Sequence, residues 1–134
     1  MTALSYDKSD GVFTELQTVS ALPDDFTGFT SGAEIEVHPN GRFLYTSNRG
    51  HDSIAVFAVD PEKGVLKPNA WVPARGRTPR HFAIDPTGGY LLAAHQDSNS
   101  VAVFRIDPED GGLAPEGEIV EAPVPVSIVF APAR

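Results

Sequence analysis

One stretch of this chain repeats another at a constant offset of 47 residues, with no gap from position 38 to position 68. The segment His38-Pro-Asn-Gly-Arg-Phe-Leu-Tyr45 aligns with Asp85-Pro-Thr-Gly-Gly-Tyr-Leu-Leu92, and Ser53-Ile-Ala-Val-Phe-Ala-Val-Asp-Pro-Glu62 aligns with Ser100-Val-Ala-Val-Phe-Arg-Ile-Asp-Pro-Glu109. Repeats of this length are typical of proteins built from copies of one supersecondary unit, stacked so that neighbours bury each other. The chain should therefore fold as a row of similar units.

Each whole repeat carries four strand signals separated by turns rich in Pro, Asn, Asp and Gly. The predicted strands are 34–38, 42–48, 53–59 and 65–74 in the first whole unit, and 81–85, 89–95, 100–106 and 113–121 in the second. Partial copies lie on either side. We therefore divide the chain into the back half of a unit with a long loop (1–32), two whole units (33–79 and 80–123) and the inner strand of a further unit (124–134).

The third strand of the first whole unit is apolar on both faces. Ile54 and Val56 point to one side, whereas Phe57 and Val59 point to the other. A sheet with one wet face would alternate apolar and polar residues. Since no helical pattern is available to cover either face, another sheet must cover each, and an immunoglobulin-type sandwich would not repeat in this way. The sequence predicts an all-β fold, a β-propeller with four-stranded blades.

The predicted set of blades is incomplete. A closed propeller needs about four to eight blades, and this chain supplies two whole blades and two partial ones. Its end blades would expose apolar faces, which favour association. We expect those faces to be covered either by the missing blades of a longer parent chain or by self-association of copies.

Composition excludes several classes of protein. The chain has no cysteine, which rules out disulfides, thiolate catalysis and Cys-ligated metals. A net charge of −8 argues against a nucleic-acid partner, and no apolar run is long enough for a membrane partner. The first residues do not form a signal peptide, so we expect a cytoplasmic protein. The four histidines lack the spacing of a zinc site, and we expect neither a metal nor another cofactor.

Connectivity places polar residues of both whole blades at one end of the propeller. In an up-and-down sheet, alternate turns lie at opposite ends, so the loops 48–52 and 95–99 share an end with the loops that lead into the inner strands. The inner strands line the central channel, which brings Glu34, Arg80 and His81 to a common mouth. Such convergence predicts a binding or catalytic site. The structural alternative is that Arg80 merely pairs with Glu34.

Basic residues are concentrated at this mouth in an otherwise acidic chain, which favours an anionic ligand. They are Arg49, Arg75, Arg77, Arg80 and His81. Several residues have structural interpretations that compete with a functional role. Arg75 and Arg77 are interpreted as solvated, and His51 and His95 as loop residues. His38 is interpreted as a turn residue, and Trp71 as part of the packing within a blade.

Several segments together resemble the lactonase family of seven-bladed propellers. They are Ala33-Glu-Ile, the run from His38 to Gly50, Asp52-Ser-Ile-Ala-Val-Phe57, Thr78-Pro-Arg-His-Phe-Ala-Ile-Asp-Pro86 and Pro125-Val-Ser-Ile-Val-Phe130. The family includes propeller-type bacterial 6-phosphogluconolactonases and fungal carboxy-cis,cis-muconate cyclases. The resemblance covers essentially the whole chain but less than half of a family member. One departure is His95-Gln96, where the family commonly has Asn-Gln.

The resemblance implies hydrolysis of a small anionic lactone or sugar phosphate, 6-phosphoglucono-δ-lactone in the oxidative pentose phosphate route. By motif position, Glu34 and Arg80 carry over best and Arg49 is a weaker third. We predict that Glu34, Arg80 and His81 are catalytic and that Arg49, Asn48 and His51 bind substrate, with His81 or His51 protonating the leaving alkoxide. The alternatives are a non-catalytic propeller that binds a partner, and a cyclase acting on a muconate.

Overall fold

The computed structural model describes residues 1–132 and contains ten β-strands. Within these residues, no helix is long and apolar enough to cross a membrane. The strands are β1 (Thr2–Asp7), β2 (Val12–Thr18), β3 (Ser31–Val37), β4 (Phe43–Arg49), β5 (Ser53–Val59), β6 (Leu66–Pro73), β7 (Pro79–Ile84), β8 (Tyr90–His95), β9 (Ser100–Ile106) and β10 (Leu113–Glu121).

The strands form three antiparallel sheets whose order follows the chain. Strands β3 to β6 make the first whole blade, strands β7 to β10 make the second, and β1 pairs with β2 in an N-terminal hairpin. All eight strands predicted for the two whole blades are present, with bounds that differ by at most three residues. The prediction of an all-β propeller built from four-stranded blades is confirmed.

The first whole blade is buried on both faces, as its third strand predicts. Ile54 and Val56 pack with Phe82 and Phe104 of the second blade in one core cluster. On the opposite face, Phe57 joins a second cluster that includes Leu44, Leu66 and residues of the N-terminal hairpin. Val56 and Phe57, adjacent in sequence, are both fully buried. Burial of apolar surface on each side of one sheet is what holds the blades together.

At the rim opposite the predicted mouth, hydrogen bonds connect the two whole blades. His38 follows β3 in the turn predicted for it, and its Nε2 lies 2.8 Å from the carbonyl oxygen of Gly88. The Tyr45 hydroxyl donates to the carbonyl of Gly111 at 2.8 Å, and burial raises the pKa of this phenol. Because these contacts are short and buried, this rim is a structural one.

One apolar face of the first blade is only partly covered. Ile35 is 50% exposed, whereas Phe82, at the same repeat position in the second blade, is 1% exposed. Val37 and Ile84 show the same contrast. Phe82 packs against a complete blade, while Ile35 faces the side where only the two-stranded hairpin lies. The exposed face expected from the sequence is therefore present, and what covers it stays a prediction.

The segment after β10 forms no strand within the described residues. Residues 122–132 pair with none of the ten strands, although 124–134 is the predicted inner strand of a further blade. A strand requires a neighbour for its ladder, and no strand lies on the outer side of this segment in the part of the chain that the structure describes. The assignment to a further blade stays a prediction, and residues 133 and 134 lie outside the described residues.

Candidate active site at the channel mouth

Each inner strand contains a β-bulge at the same position of the repeat. In β3 the bulge lies between Gly32 and Ile35, and in β7 it lies between Pro79 and His81. Bulges kink a strand and redirect its side chains, and they are over-represented next to active sites. Glu34 and Arg80 both lie within these bulges. The sequence analysis did not predict either irregularity.

The two bulges bring Glu34 and His81 into contact across the blade interface. Oε2 of Glu34 lies 3.1 Å from Nε2 of His81, and their side chains are 31% and 23% exposed. Oε1 of Glu34 also accepts a hydrogen bond from the backbone N–H of Ile35 at 2.9 Å. The partial exposure of Glu34 leaves oxygen lone pairs that water can reach.

A third contact orients the His81 ring. The backbone N–H of Ile128 donates to Nδ1 of His81 at 3.3 Å. Because Nδ1 acts as an acceptor, the network assigns the ring proton to Nε2, the nitrogen that faces Glu34. His81 therefore presents an N–H group toward the mouth, and the segment around Ile128 helps to hold it there.

Arg80 stands beside this pair as an unengaged cation. Its side chain is exposed, and it makes no hydrogen bond or ion pair with residues 1–132. The structural alternative in which Arg80 pairs with Glu34 is therefore wrong, because His81 occupies the position facing Glu34 and the bulge leaves Arg80 exposed. A guanidinium group without an internal partner is available to bind an anion.

The predicted substrate-binding residues are engaged in the mouth loops. Arg49 donates through Nη2 to the Ser31 hydroxyl and to the Gly32 carbonyl, at 2.7 and 2.9 Å, which holds the start of β3. Asn48 is 2% exposed and donates to the carbonyl of Ala21 at 2.8 Å. Their role in substrate binding stays a prediction.

The third of these residues, His51, lies 2.7 Å through Nδ1 from the Ser53 hydroxyl. Its ring also packs edge-on against Phe26, with the ring centroids 4.7 Å apart. Neither partner belongs to the Glu34–His81 pair. Of the two histidines proposed to protonate a leaving group, the structure therefore brings His81, and not His51, into contact with Glu34.

Two other arginines of the basic cluster make only exposed contacts with backbone carbonyls, which agrees with the solvated side chains that the sequence analysis expected. Arg75 donates to the carbonyl of Gly117 at 3.3 Å, and Arg77 donates to that of Asp97 at 3.1 Å. Both arginines lie in the loop that leads into β7, whereas Gly117 lies in β10 and Asp97 lies in the loop after β8. Arg75 and Arg77 therefore each hold a backbone carbonyl, whereas Arg80 has no hydrogen-bond partner within residues 1–132.

The sequence analysis did not single out Glu36, and it interpreted His95 as a loop residue, whereas His95 is the last residue of β8. Burial raises the pKa of Glu36, which accepts a hydrogen bond from the N–H of Ile84 at 3.1 Å. His95 is fully buried, and burial lowers its pKa. The alternation Glu34-Ile-Glu36 was the only signal for Glu36.

A cavity of about 330 Å³ adjoins the site on the open side of the first blade, and its walls include Glu34, Thr46 and Asn48. A larger cavity of about 520 Å³ lies at the opposite rim around Arg42 and Glu109, away from this chemistry. Within residues 1–132, no three His, Asp or Glu side chains lie close enough together to hold a metal ion.

Comparison with known proteins places these features in a family context. A family model described as a lactonase with a seven-bladed β-propeller matches residues 1–130. The chain is 49% identical over 83 residues to a 6-phosphogluconolactonase of Bacillus subtilis, an alignment covering 62% of this chain and 24% of that protein. It is 37% identical over 78 residues to a 6-phosphogluconolactonase of Serratia proteamaculans, covering 58% and 23%. The chain thus spans about a quarter of the length of these curated relatives.

Solved structures match over nearly the whole chain. A protein from Lactobacillus plantarum gives a TM-score of 0.88 at 33% identity, with 92% of this chain and 36% of that chain covered. The periplasmic gluconolactonase of Pseudomonas aeruginosa gives a TM-score of 0.87 at 32% identity, with 94% and 35% covered. Both matches cover about a third of the solved protein.

Proposed function

Because the chain belongs to the lactonase family of seven-bladed β-propellers, we propose that it contributes the catalytic groups of a lactone hydrolase. The observation that carries the proposal is the Glu34–His81 contact of 3.1 Å, with the exposed Arg80 next to it in the same bulge. The names of the B. subtilis, S. proteamaculans and P. aeruginosa relatives support this class of reaction.

Lactone hydrolysis needs three contributions from the protein. A base must remove a proton from the attacking water, a positive group must stabilise the oxyanion, and an acid must protonate the ring oxygen as it leaves. The candidate site offers one group for each requirement within a single mouth. These are the Glu34 carboxylate, the Arg80 guanidinium and the Nε2–H of His81.

The proposed reaction begins with water, which loses a proton to Glu34 as its oxygen bonds to the lactone carbonyl carbon. The carbonyl oxygen becomes negative and is stabilised by Arg80. The carbon–oxygen bond of the ring then breaks as the leaving oxygen takes the Nε2 proton of His81. In the same step the imidazole recovers a proton from protonated Glu34 across their contact, so that no imidazolate anion is left. Both groups are restored and the product is a hydroxy acid.

For the substrate, we propose a phosphorylated sugar lactone, specifically 6-phosphoglucono-δ-lactone in the pentose phosphate pathway. The relatives named 6-phosphogluconolactonase support this choice. We propose a cytoplasmic location on the sequence argument alone.

The test restores a complete ring around this chain. A chimera replaces the matching segment of the B. subtilis 6-phosphogluconolactonase with this chain, and lactone hydrolysis is followed against the spontaneous rate. Arg80→Ala should reduce kcat/KM by about 10²-fold or more, as expected when a group that stabilises an oxyanion is lost. Arg75→Ala is the matched control, since its guanidinium holds a loop, and it should retain most of the activity.

Two results would count against the proposal. If Arg80→Ala stays within about threefold of the parent chimera, Arg80 stabilises no oxyanion. If the parent chimera folds and binds 6-phosphogluconate but hydrolyses no lactone, the binding-module alternative accounts better for the site, because propellers support many functions.

A further inference from the structure

We propose that Thr46 and Ser47 are positioning residues, which hold the β3 bulge in the shape that directs Glu34 toward His81. The inference rests on the proposed function for its catalytic meaning, but its structural content concerns this chain alone. Neither residue stands out in the sequence, where both look like ordinary positions of a buried strand.

The hydroxyl groups of Thr46 and Ser47 form hydrogen bonds with the two backbone polar groups of Glu34. The N–H of Glu34 donates to Oγ of Ser47 at 3.0 Å, and Oγ1 of Thr46 donates to the carbonyl of Glu34 at 2.9 Å. Ser47 is fully buried and Thr46 is 6% exposed. In the ladder between β3 and β4, Gly32 pairs with Asn48 and Ile35 pairs with Thr46, so Glu34 pairs with no residue. Side-chain hydroxyls thus replace the missing ladder bonds, which would otherwise leave polar backbone groups unsatisfied.

The second blade supplies a comparison within the same chain. The repeat offset places Ala93 at the position of Thr46 and Ala94 at the position of Ser47. Both alanines are fully buried. There the ladder closes directly, because His81 pairs with Ala94, whereas the equivalent residues Glu34 and Ser47 are not paired with each other. A blade of this fold therefore needs no hydroxyl at either position.

The difference between the blades assigns the hydroxyls to the site. Both inner strands carry a bulge, but among residues 1–132 only the bulge with the carboxylate has its backbone held by side chains. A bulge held from both sides fixes where its side chain points, and catalytic groups lose rate when misplaced by about 1 Å. Thr46 and Ser47 would then act on the reaction only through the position of Glu34.

The test copies the second blade into the first. The variant Thr46→Ala/Ser47→Ala is prepared in the 134-residue chain and studied by NMR, with Thr46→Ser as the conservative control that keeps a hydroxyl. We expect the parent chain and the control to show contacts between the Glu34 side chain and the His81 ring protons. The double variant should lose these contacts, and its Glu34 amide should exchange about tenfold faster, while the core methyl signals of Ile54 and Ile84 stay unchanged.

Retention of the Glu34–His81 contacts and of the amide protection in the double variant would overturn the proposal. If the double variant does not fold, Ser47→Ala alone gives the same test, since it removes the single acceptor for the Glu34 amide. In the chimera, the double variant should lower kcat about tenfold with KM within about twofold, because positioning affects the chemical step. If the double variant loses the NMR contacts and the parent chimera is inactive, the proposed function is refuted. The role of Thr46 and Ser47 in holding the β3 bulge is then still supported.

Discussion

Nε2 of His81 lies 3.1 Å from Oε2 of Glu34, although the two residues occupy the same position in consecutive repeats. The contact exists because inner strands stand side by side around the channel, so that equivalent residues of neighbouring blades face one another. A carboxylate in one blade and an imidazole in the next thus become a pair. The contact places a carboxyl group and an imidazole side by side at one mouth.

Replacement of Glu34 by Gln should abolish most catalysis without disturbing the fold. The amide keeps the shape of the side chain but cannot take a proton from water, so kcat of the chimera should fall by about 10²- to 10⁴-fold with a small change in KM. Steady-state kinetics on the lactone measures the effect. The matched control is Glu36→Gln, which alters the neighbouring carboxylate of the same strand. Equal losses in the two variants would contradict a specific role for Glu34.

Replacement of a large apolar side chain by alanine at one repeat position should cost more stability in the second whole blade than in the first. Phe82→Ala empties a fully packed site and should lower the free energy of unfolding of the chain by about 3–5 kcal/mol. Ile35→Ala acts where half of the side chain is already exposed, and it should cost less than about half as much. Chemical denaturation of both variants compares them. Equal losses would show that the face around Ile35 is covered in solution, as self-association of the chain would produce.

Buried His95 should make the chain less stable in mild acid. Burial lowers the pKa of His95 in the fold, so the unfolded chain takes up more protons as the pH falls through the ordinary histidine value of about 6.5, and stability is lost. His95→Asn, which copies Asn48 of the first blade, should reduce the difference in unfolding free energy between about pH 7.5 and pH 5.5.

The His95→Asn variant must be compared with the parent chain because Glu36 affects the pH dependence of stability in the opposite direction to His95. Its raised pKa favours the protonated carboxyl in the fold, so its contribution to stability is present at low pH and is lost as the pH rises. Glu36 is the same in both proteins and largely cancels in the comparison. Identical pH dependence for the two proteins would show that His95 is not the residue responsible.

The strands and the end of the propeller that carries the site were predictable because they depend on local patterns. The repeat offset and the turn residues locate every strand of the two whole blades, and the two-sided apolar character of 54–59 requires a sheet on each face. Alternating connections then place Glu34, Arg80 and His81 at one end. None of these steps requires knowledge of the hydrogen-bond register between the strands.

The pairing at the site was not predictable because it depends on hydrogen-bond register. A bulge has no reliable signature in single residues, and it decides that Arg80 is left exposed while His81 meets Glu34. For the same reason Thr46 and Ser47 looked like plain strand residues. The buried state of His95 became visible only with the loops packed above it, since Gly76 lies directly against its ring.

The most direct test of the account is a double-mutant cycle on Glu34 and His81, with kcat/KM for lactone hydrolysis measured in the chimera. If the two groups act as one catalytic unit, Glu34→Gln and His81→Gln should each lower kcat/KM by about 10²-fold or more, and the double variant should be little worse than the more damaged single variant. Effects of the two substitutions that multiply independently, or a His81→Gln variant as active as the parent, would contradict the claim that these residues form a catalytic pair.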